Sequence, residues 1–334
     1  MRPFQFRPWR FRYGPGPESS ERLETRTADG VRLSIRRLRP PAGEGPAVIL
    51  CHGLSANHHG LDFPGRSIAA WLAGHGYDCY LPDLRGGGES ERQHLRWDLD
   101  DHLLLDVPAI LDKVLSTSGR KEVHWIGHSM GGLILFCHGI LAPQTPIRSA
   151  LTVGSALDYR EGTTGFRGLL KVKALLERLP ALPFGSFVSL LSPLLGRLQG
   201  PIEGFQFHGD NLEPKLARRL FATGFHTIPV SLLMSLGTTF DERGLRNRDG
   251  SVHYVEAASR FRIPLRLLAG SADRQVSPEA VEATGTLLQR EVIVHGRSHG
   301  DVEDYGHWDL LLGRRAELEV WPGILEWLRK AEAP

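Results

Sequence analysis

The chain has 334 residues, of which 41% are hydrophobic and 23% charged, with a formal net charge of +2. This is the balance of a globular protein long enough for one large core with an insertion, and it excludes a disordered or fibrous chain. With no concentrated basic face, no nucleic-acid partner is expected.

The first twenty residues read as an N-terminal arm. The opening MRPFQFRPWRFRYG mixes Arg, Pro and aromatics, without the apolar stretch or small-residue cleavage site of a secretory signal. Residues 22–38 alternate as two strands around an Asp29-Gly30 hairpin turn. After a Pro- and Gly-rich loop, the run Ala47-Val48-Ile49-Leu50 reads as a buried parallel strand. A helix over 64–75 and a strand over 77–80 follow. The apolar spacing of Leu103, Leu104, Val107, Ile110, Leu111 and Val114 predicts a helix over 99–117. Then come a strand over 122–126, a helix from Ser129 to about Gly139 and a strand over 148–153. Strand-then-helix repetition is the pattern of an open parallel sheet with helices on both faces, an α/β fold.

The alternation stops after Asp158. Leu-rich helical segments over 166–178, 186–197, 212–222 and 228–236 predict a helical cap spanning 159–250. The core is thus read as 21–158 plus 251–334. In its second part a helix is expected over 251–260, a strand over 264–269, a helix over 278–286, a strand over 290–295 and a last helix over about 315–330. No apolar run approaches the roughly 20 residues of a spanning helix, so no transmembrane segment is expected. Cys51, Cys79 and Cys137, odd in number and set in apolar runs, read as buried free thiols, and the chain as cytoplasmic.

Chemistry concentrates at the ends of the predicted strands. Gly127-His128-Ser129-Met130-Gly131 fits G-x-S-x-G between a strand and an apolar helix, the setting in which a tight turn projects a nucleophilic serine above a sheet. Cys51-His52-Gly53-Leu54 follows the 47–50 strand. The amides of Leu54 and Met130 are the expected oxyanion donors, and His52 is a loop organiser. A serine needs a base, and the base an orienting acid. Asp273, just past the 264–269 strand, is the first choice for the acid and Asp158 the alternative. His307, in Tyr305-Gly306-His307-Trp308-Asp309, is the expected base. Asp309 reads as a loop acceptor. His295, His299, Asp301, Asp304 and His307 match no familiar metal-ligand spacing, so neither metal nor cofactor is expected.

Over about 25–330 the chain resembles the α/β-hydrolase superfamily. It is most similar to the lipase branch of acid and gastric lipases and to polyhydroxyalkanoate synthase-like proteins. The resemblance is carried by HGLSANHHGLDFPGRSIAAWL (52–72), by GYDCYLPDLRGGGES (76–90) with Asp83, Arg85 and Gly86 in a structural loop, by the helix leading into GHSMG, and by YGHWDLLL (305–312). It implies a Ser129, Asp273 and His307 triad beneath a helical lid. The chain has Ser where the polymer synthases have Cys. The expected function is hydrolysis of carboxylic esters, with a small apolar ester as partner. The alternatives are an acyltransferase using the same triad and a non-catalytic binding protein on this scaffold.

Overall fold

The structure is a computed structural model that describes residues 6–9, 12, 20–92, 94–159, 162, 164–170, 173–196 and 200–333. Most of the expected arm over 1–20 lies outside the described residues.

The first two strands, β1 (Glu21–Arg26) and β2 (Arg32–Leu38), form the antiparallel hairpin read from the sequence. Five-residue β3 (Ala47–Cys51) is buried along its whole length, as an apolar run covered on both faces must be. Next come α1 (Ile68–Gly74), β4 (Asp78–Pro82), α2 (Val107–Ser118), β5 (Val123–His128), α3 (Met130–Leu141) and β6 (Ile147–Val153). The chain then leaves the sheet for an insertion. It comprises α4 (Arg167–Leu170), α5 (Lys173–Leu176), β7 (Ala181–Leu182), α6 (Phe184–Leu191), α7 (Pro201–Gln206), α8 (Pro214–Thr223), β8 (Ile228–Pro229) and α9 (Val230–Gly237). It returns through β9 (Leu265–Gly270), α10 (Pro278–Leu288), β10 (Glu291–His295), α11 (Asp309–Leu312), α12 (Ala316–Glu319) and α13 (Trp321–Glu332). The eight-stranded sheet runs β1-β2-β4-β3-β5-β6-β9-β10 and is parallel from β4 onward. Apolar clusters fill both of its faces.

Local chemistry explains where the boundaries moved. The helix expected from 64 begins at Ile68, because Pro64 and Gly65 make a turn and the Ser67 hydroxyl caps the Ala70 amide at 2.8 Å. The helix expected over 251–260 does not form. Asn247 and Asp249 accept hydrogen bonds from the Val252 and Ser251 amides and tie the chain into turns, leaving a single 3-10 turn at Ala258–Arg260. Two features were not read at all: α7 and the two-stranded β7–β8 ribbon, each too short to carry a period. Ahead of α2 a helical turn at Leu99–Asp101 continues into a π turn at His102–Asp106. The π turn aims the buried Asp106 carboxylate at His102 Nδ1 (2.8 Å) and Arg85 Nε (2.8 Å). From the arm, Arg7 donates to the Thr223 carbonyl and Trp9 Nε1 to the Leu190 carbonyl, so the described arm residues lean on the insertion.

The loop after β4 is held by charge. Asp83 is buried and accepts from His58 Nδ1 (2.8 Å), the His58 amide (2.9 Å) and the Glu89 amide (2.8 Å). Burial alone would raise its pKa, but the His58 charge and these donors hold it far below the usual carboxylate range. A depressed carboxylate contributes stability above its unfolded value of about 3.9 and loses it as pH falls toward its folded value. Asp83→Asn should therefore lose roughly 3 kcal/mol at pH 7 and show a flatter acid limb than the wild type. Urea titrations between pH 3 and 7 check this, and parallel profiles for the two proteins would contradict it.

Candidate active site

The sequence-predicted site residues gather at the C-terminal edge of the parallel strands, the usual ligand-binding edge of an open α/β sheet. Ser129 occupies the turn between β5 and α3 with φ 55° and ψ −119°, a left-handed backbone that non-glycine residues rarely adopt. Its amide is pinned to the Val153 carbonyl at 2.9 Å. Gly131 lets the first turn of α3 press against β3, since a Cβ there would overlap the Cys51 carbonyl. On the other side a Cβ on Gly53 would stand 2.8 Å from Ser129 Cβ, so the loop after β3 closes to within contact of the serine.

That loop carries Leu54. The Leu84 amide donates to His52 Nε2 at 3.2 Å, which leaves the proton on Nδ1 to donate to the Gly53 carbonyl at 2.9 Å. Burial lowers the His52 pKa, so the ring is a neutral strut that fixes the peptide bearing the Leu54 amide. Among the described residues neither the Leu54 nor the Met130 amide donates to another backbone carbonyl. Both residues line a cavity with Ser129.

His307 and Asp273 meet from different loops. His307 Nδ1 lies 2.7 Å from Asp273 Oδ2, and both side chains are buried. The other oxygen of Asp273 accepts from the Gln275 amide (2.8 Å) and the Val276 amide (3.0 Å), which fixes the carboxylate plane. Asp158, the alternative acid, sits with its amide on the Thr284 hydroxyl. His307 and Ser129 line one cavity of about 630 Å³, together with His128, Trp308 and a ring of phenylalanines. Of the other His and Asp residues in that stretch, His295 binds Asp301 at 3.1 Å, Asp304 binds Ser271, and His299 is exposed. No metal-binding group of three such residues occurs among the described residues.

Asp309 is a buried acceptor for the Gly306 amide (2.9 Å) and Asn211 Nδ2 (2.7 Å), as its loop role required. Three contributors were not read from the sequence. His128 packs between the rings of His307 (4.6 Å) and Trp308 (4.4 Å) and donates from Nε2 to the His307 carbonyl at 3.2 Å. Burial drives its pKa well below the imidazole norm, so it supports the His307 backbone as a neutral ring. Trp308 lines the cavity beside His307. Gln275 joins the acid loop to the Phe205 carbonyl at 2.9 Å. Each contact spans elements far apart in the chain and has no local spacing to betray it.

A family model of the alpha/beta hydrolase fold matches residues 46–228, more than half of the chain. The chain belongs to the α/β-hydrolase family. Within it the chain falls in the lipase-like branch. It is 31% identical to Lipase lipl-3 of Caenorhabditis elegans over 40% of this chain and 39% of that one. It is 31% identical to the gastric triacylglycerol lipase of Homo sapiens over 35% and 34% respectively. These matches span little more than a third of the relatives' own length. Lipase member N of Mus musculus matches at 23% over 93% of this chain and 88% of its own. The fold is shared with a thermophilic esterase from Thermogutta terrifontis (TM-score 0.66, 17% identity, 94% of this chain and 100% of that one). It is also shared with a bacterial membrane phospholipase A (TM-score 0.63, 18% identity, 95% and 88%). No helix among the described residues is long and apolar enough to cross a membrane.

Two predictions follow from the packing of this site. Gly131→Ala should destabilise the protein by about 1–3 kcal/mol, because the new methyl would overlap the Cys51 and His52 backbone, which cannot easily retreat; a melting temperature equal to that of the wild type would refute it. Burial raises the Asp309 pKa to about 6 against its amide donors. A raised carboxyl contributes stability below about pH 4 that is lost as pH rises through 6. The wild type should therefore lose roughly 2–3 kcal/mol relative to Asp309→Asn between pH 4 and pH 7. A pH-independent difference in unfolding free energy would disprove the shift.

Proposed function

We propose that the protein hydrolyses carboxylic esters through Ser129, His307 and Asp273, with the Leu54 and Met130 amides as the oxyanion donors. The observation that carries this reading is the 2.7 Å His307–Asp273 hydrogen bond at a cavity that Ser129 shares. Asp273 keeps the proton of the free imidazole on Nδ1, which leaves Nε2 as the base. The Ser129 oxygen attacks the acyl carbon as His307 takes its proton. The resulting oxyanion accepts from the two amides. Collapse breaks the ester bond, and His307 hands its proton to the departing alkoxide. Water then repeats the sequence on the acyl-enzyme, releasing the acid and restoring Ser129.

Residues 159–250 act as the cap in this reading. They contribute Phe184, Phe187, Phe205 and Phe225 to the cavity wall, a lining suited to apolar esters. The lipase and esterase names of the relatives agree with that substrate class.

Ser129→Ala should lower kcat/KM on an activated aryl ester on the order of 10⁵-fold or more, and Asp273→Asn about 10⁴-fold, with melting temperatures little changed. A fluorophosphonate probe should label the wild type and not Ser129→Ala. Ester hydrolysis persisting in purified Ser129→Ala would refute the mechanism. Formation of a new ester from an added alcohol, without net acid release, would make the enzyme a transferase.

A further inference from the structure

Ser129 stands where two chambers meet. The larger, about 630 Å³, has His307 and Trp308 in its wall. The smaller, about 270 Å³, shares Leu54 and Ser129 with it but lacks His307; it passes Met130 and Leu133 and reaches Thr239 and Arg246. Provided the ester-hydrolase reading holds, the mechanism sorts the two. A departing alkoxide must take its proton from the imidazole, so the alcohol lies on the His307 side. The acyl chain leaves the same carbon in another direction, past the Met130 amide.

We infer that the smaller chamber receives the acyl group and the aromatic chamber the alcohol, and that Thr239 and Arg246 select an acyl group with a hydroxyl toward its far end. Much of the smaller chamber's lining suits a hydrocarbon: Leu133, Leu233, Leu236 and Val276. Two lining residues are different. Thr239 is buried, and among the described residues its hydroxyl has no hydrogen-bond partner. A buried hydroxyl left without a partner is costly, so one on a chamber-lining residue, a χ1 rotation away from the chamber, marks a place for a ligand oxygen. Arg246 is half-buried in the same lining, and its guanidinium has no ion-pair partner among the described residues. Its amide is held on the hydroxyl of Thr238, the neighbour of Thr239, at 3.2 Å, which ties the two segments together. Asp241, an exposed residue, also lines this chamber. A carboxylate-tipped chain would meet its charge. A neutral hydroxyl can accept from Arg246 while it donates to Thr239 or to a carboxylate.

Gly237, at the end of α9, makes the assignment testable. It lines the smaller chamber, and a Cβ built there meets nothing within 4 Å. Gly237→Leu thus fills the chamber without displacing backbone, and Gly237→Ala is a milder control. Wild type and both variants would be assayed on aryl esters of increasing acyl length and on butyrate esters of increasingly bulky alcohols. Gly237→Leu should lose about tenfold or more in kcat/KM on long acyl chains relative to acetate, while its alcohol profile runs parallel to that of the wild type. Arg246→Met and Thr239→Val should each lower the preference for a hydroxyl-tipped over a plain acyl ester about tenfold. If the alcohol range contracts instead, or if the hydroxyl preference is unchanged in both polar variants, the inference is overturned. Ser129→Ala in parallel separates the two levels: hydrolysis surviving there refutes the ester-hydrolase reading itself, whereas the chamber assignment is judged on ratios within active variants.

Discussion

The turn at Ser129 is the constraint on which the rest of the site depends. A serine at positive φ is unfavourable by roughly 1–3 kcal/mol, and such a conformation persists only where its surroundings leave no alternative. Here β5 is clamped between β3 and β6, the Ser129 amide is tied to Val153, and α3 is pressed onto the Cys51 carbonyl. Relaxing the turn would require separating two central strands. The sheet therefore holds the strain, and the serine is presented at the sheet edge at the first turn of a helix. That helix start also leaves the Met130 amide free beside it.

Around this fixed point the interior is unusually polar. His52, His58, Asp83, Arg85, His102 and Asp106 are all buried within a few loops of one another. Removing charges from water is costly, and a buried pair often contributes little net stability over an apolar replacement. What the Asp83–His58 and Arg85–Asp106 pairs do supply is direction. The Asp83–His58 pair holds the loop after β4 against the loop after β3, the Arg85–Asp106 pair ties it to the π turn ahead of α2, and the Leu84 amide on His52 sets the peptide that carries the Leu54 amide. The neutral rings His52 and His128 have the same kind of task on opposite sides of Ser129. Each turns a backbone carbonyl, Gly53 in one case and His307 in the other, into a fixed reference.

Much of this was legible in the sequence where the signal is local. The β3 run, the G-x-S-x-G turn and the His307 loop are short segments whose composition is dictated by burial or by a sharp bend, and they read correctly as elements. The inserted helices were legible as helical but not in number or length, because segments such as Pro201–Gln206 are too short for a 3.6-residue period to emerge. The 251–260 stretch misled because its apolar spacing was overruled by Asn247 and Asp249, whose side chains offer the backbone a competing set of hydrogen bonds. The π turn at His102–Asp106 was hidden inside a continuous apolar helical pattern. The contacts of His128, Trp308 and Gln275 join residues 70 to 180 positions apart, and a single sequence holds no record of them.

The insertion is stitched to the two loops that carry the proposed base and acid. Trp308 donates its amide to the Gln206 carbonyl, Asn211 bonds Asp309 and the Asp304 carbonyl, and Arg314 donates to the Asn211 carbonyl. On the acid side Gln275 bonds Phe205 and Gln206, and the Gly165 amide bonds the Arg274 carbonyl. The covering layer and the reactive groups thus form one mechanical assembly that happens to be encoded in three separated stretches of chain. For protein engineering the unit of exchange is that assembly: a foreign cap grafted between β6 and β9 would bring its own edge and find the histidine loop with no partner for its backbone. Substrate range in this scaffold is more safely altered from inside the chambers than by trading the roof.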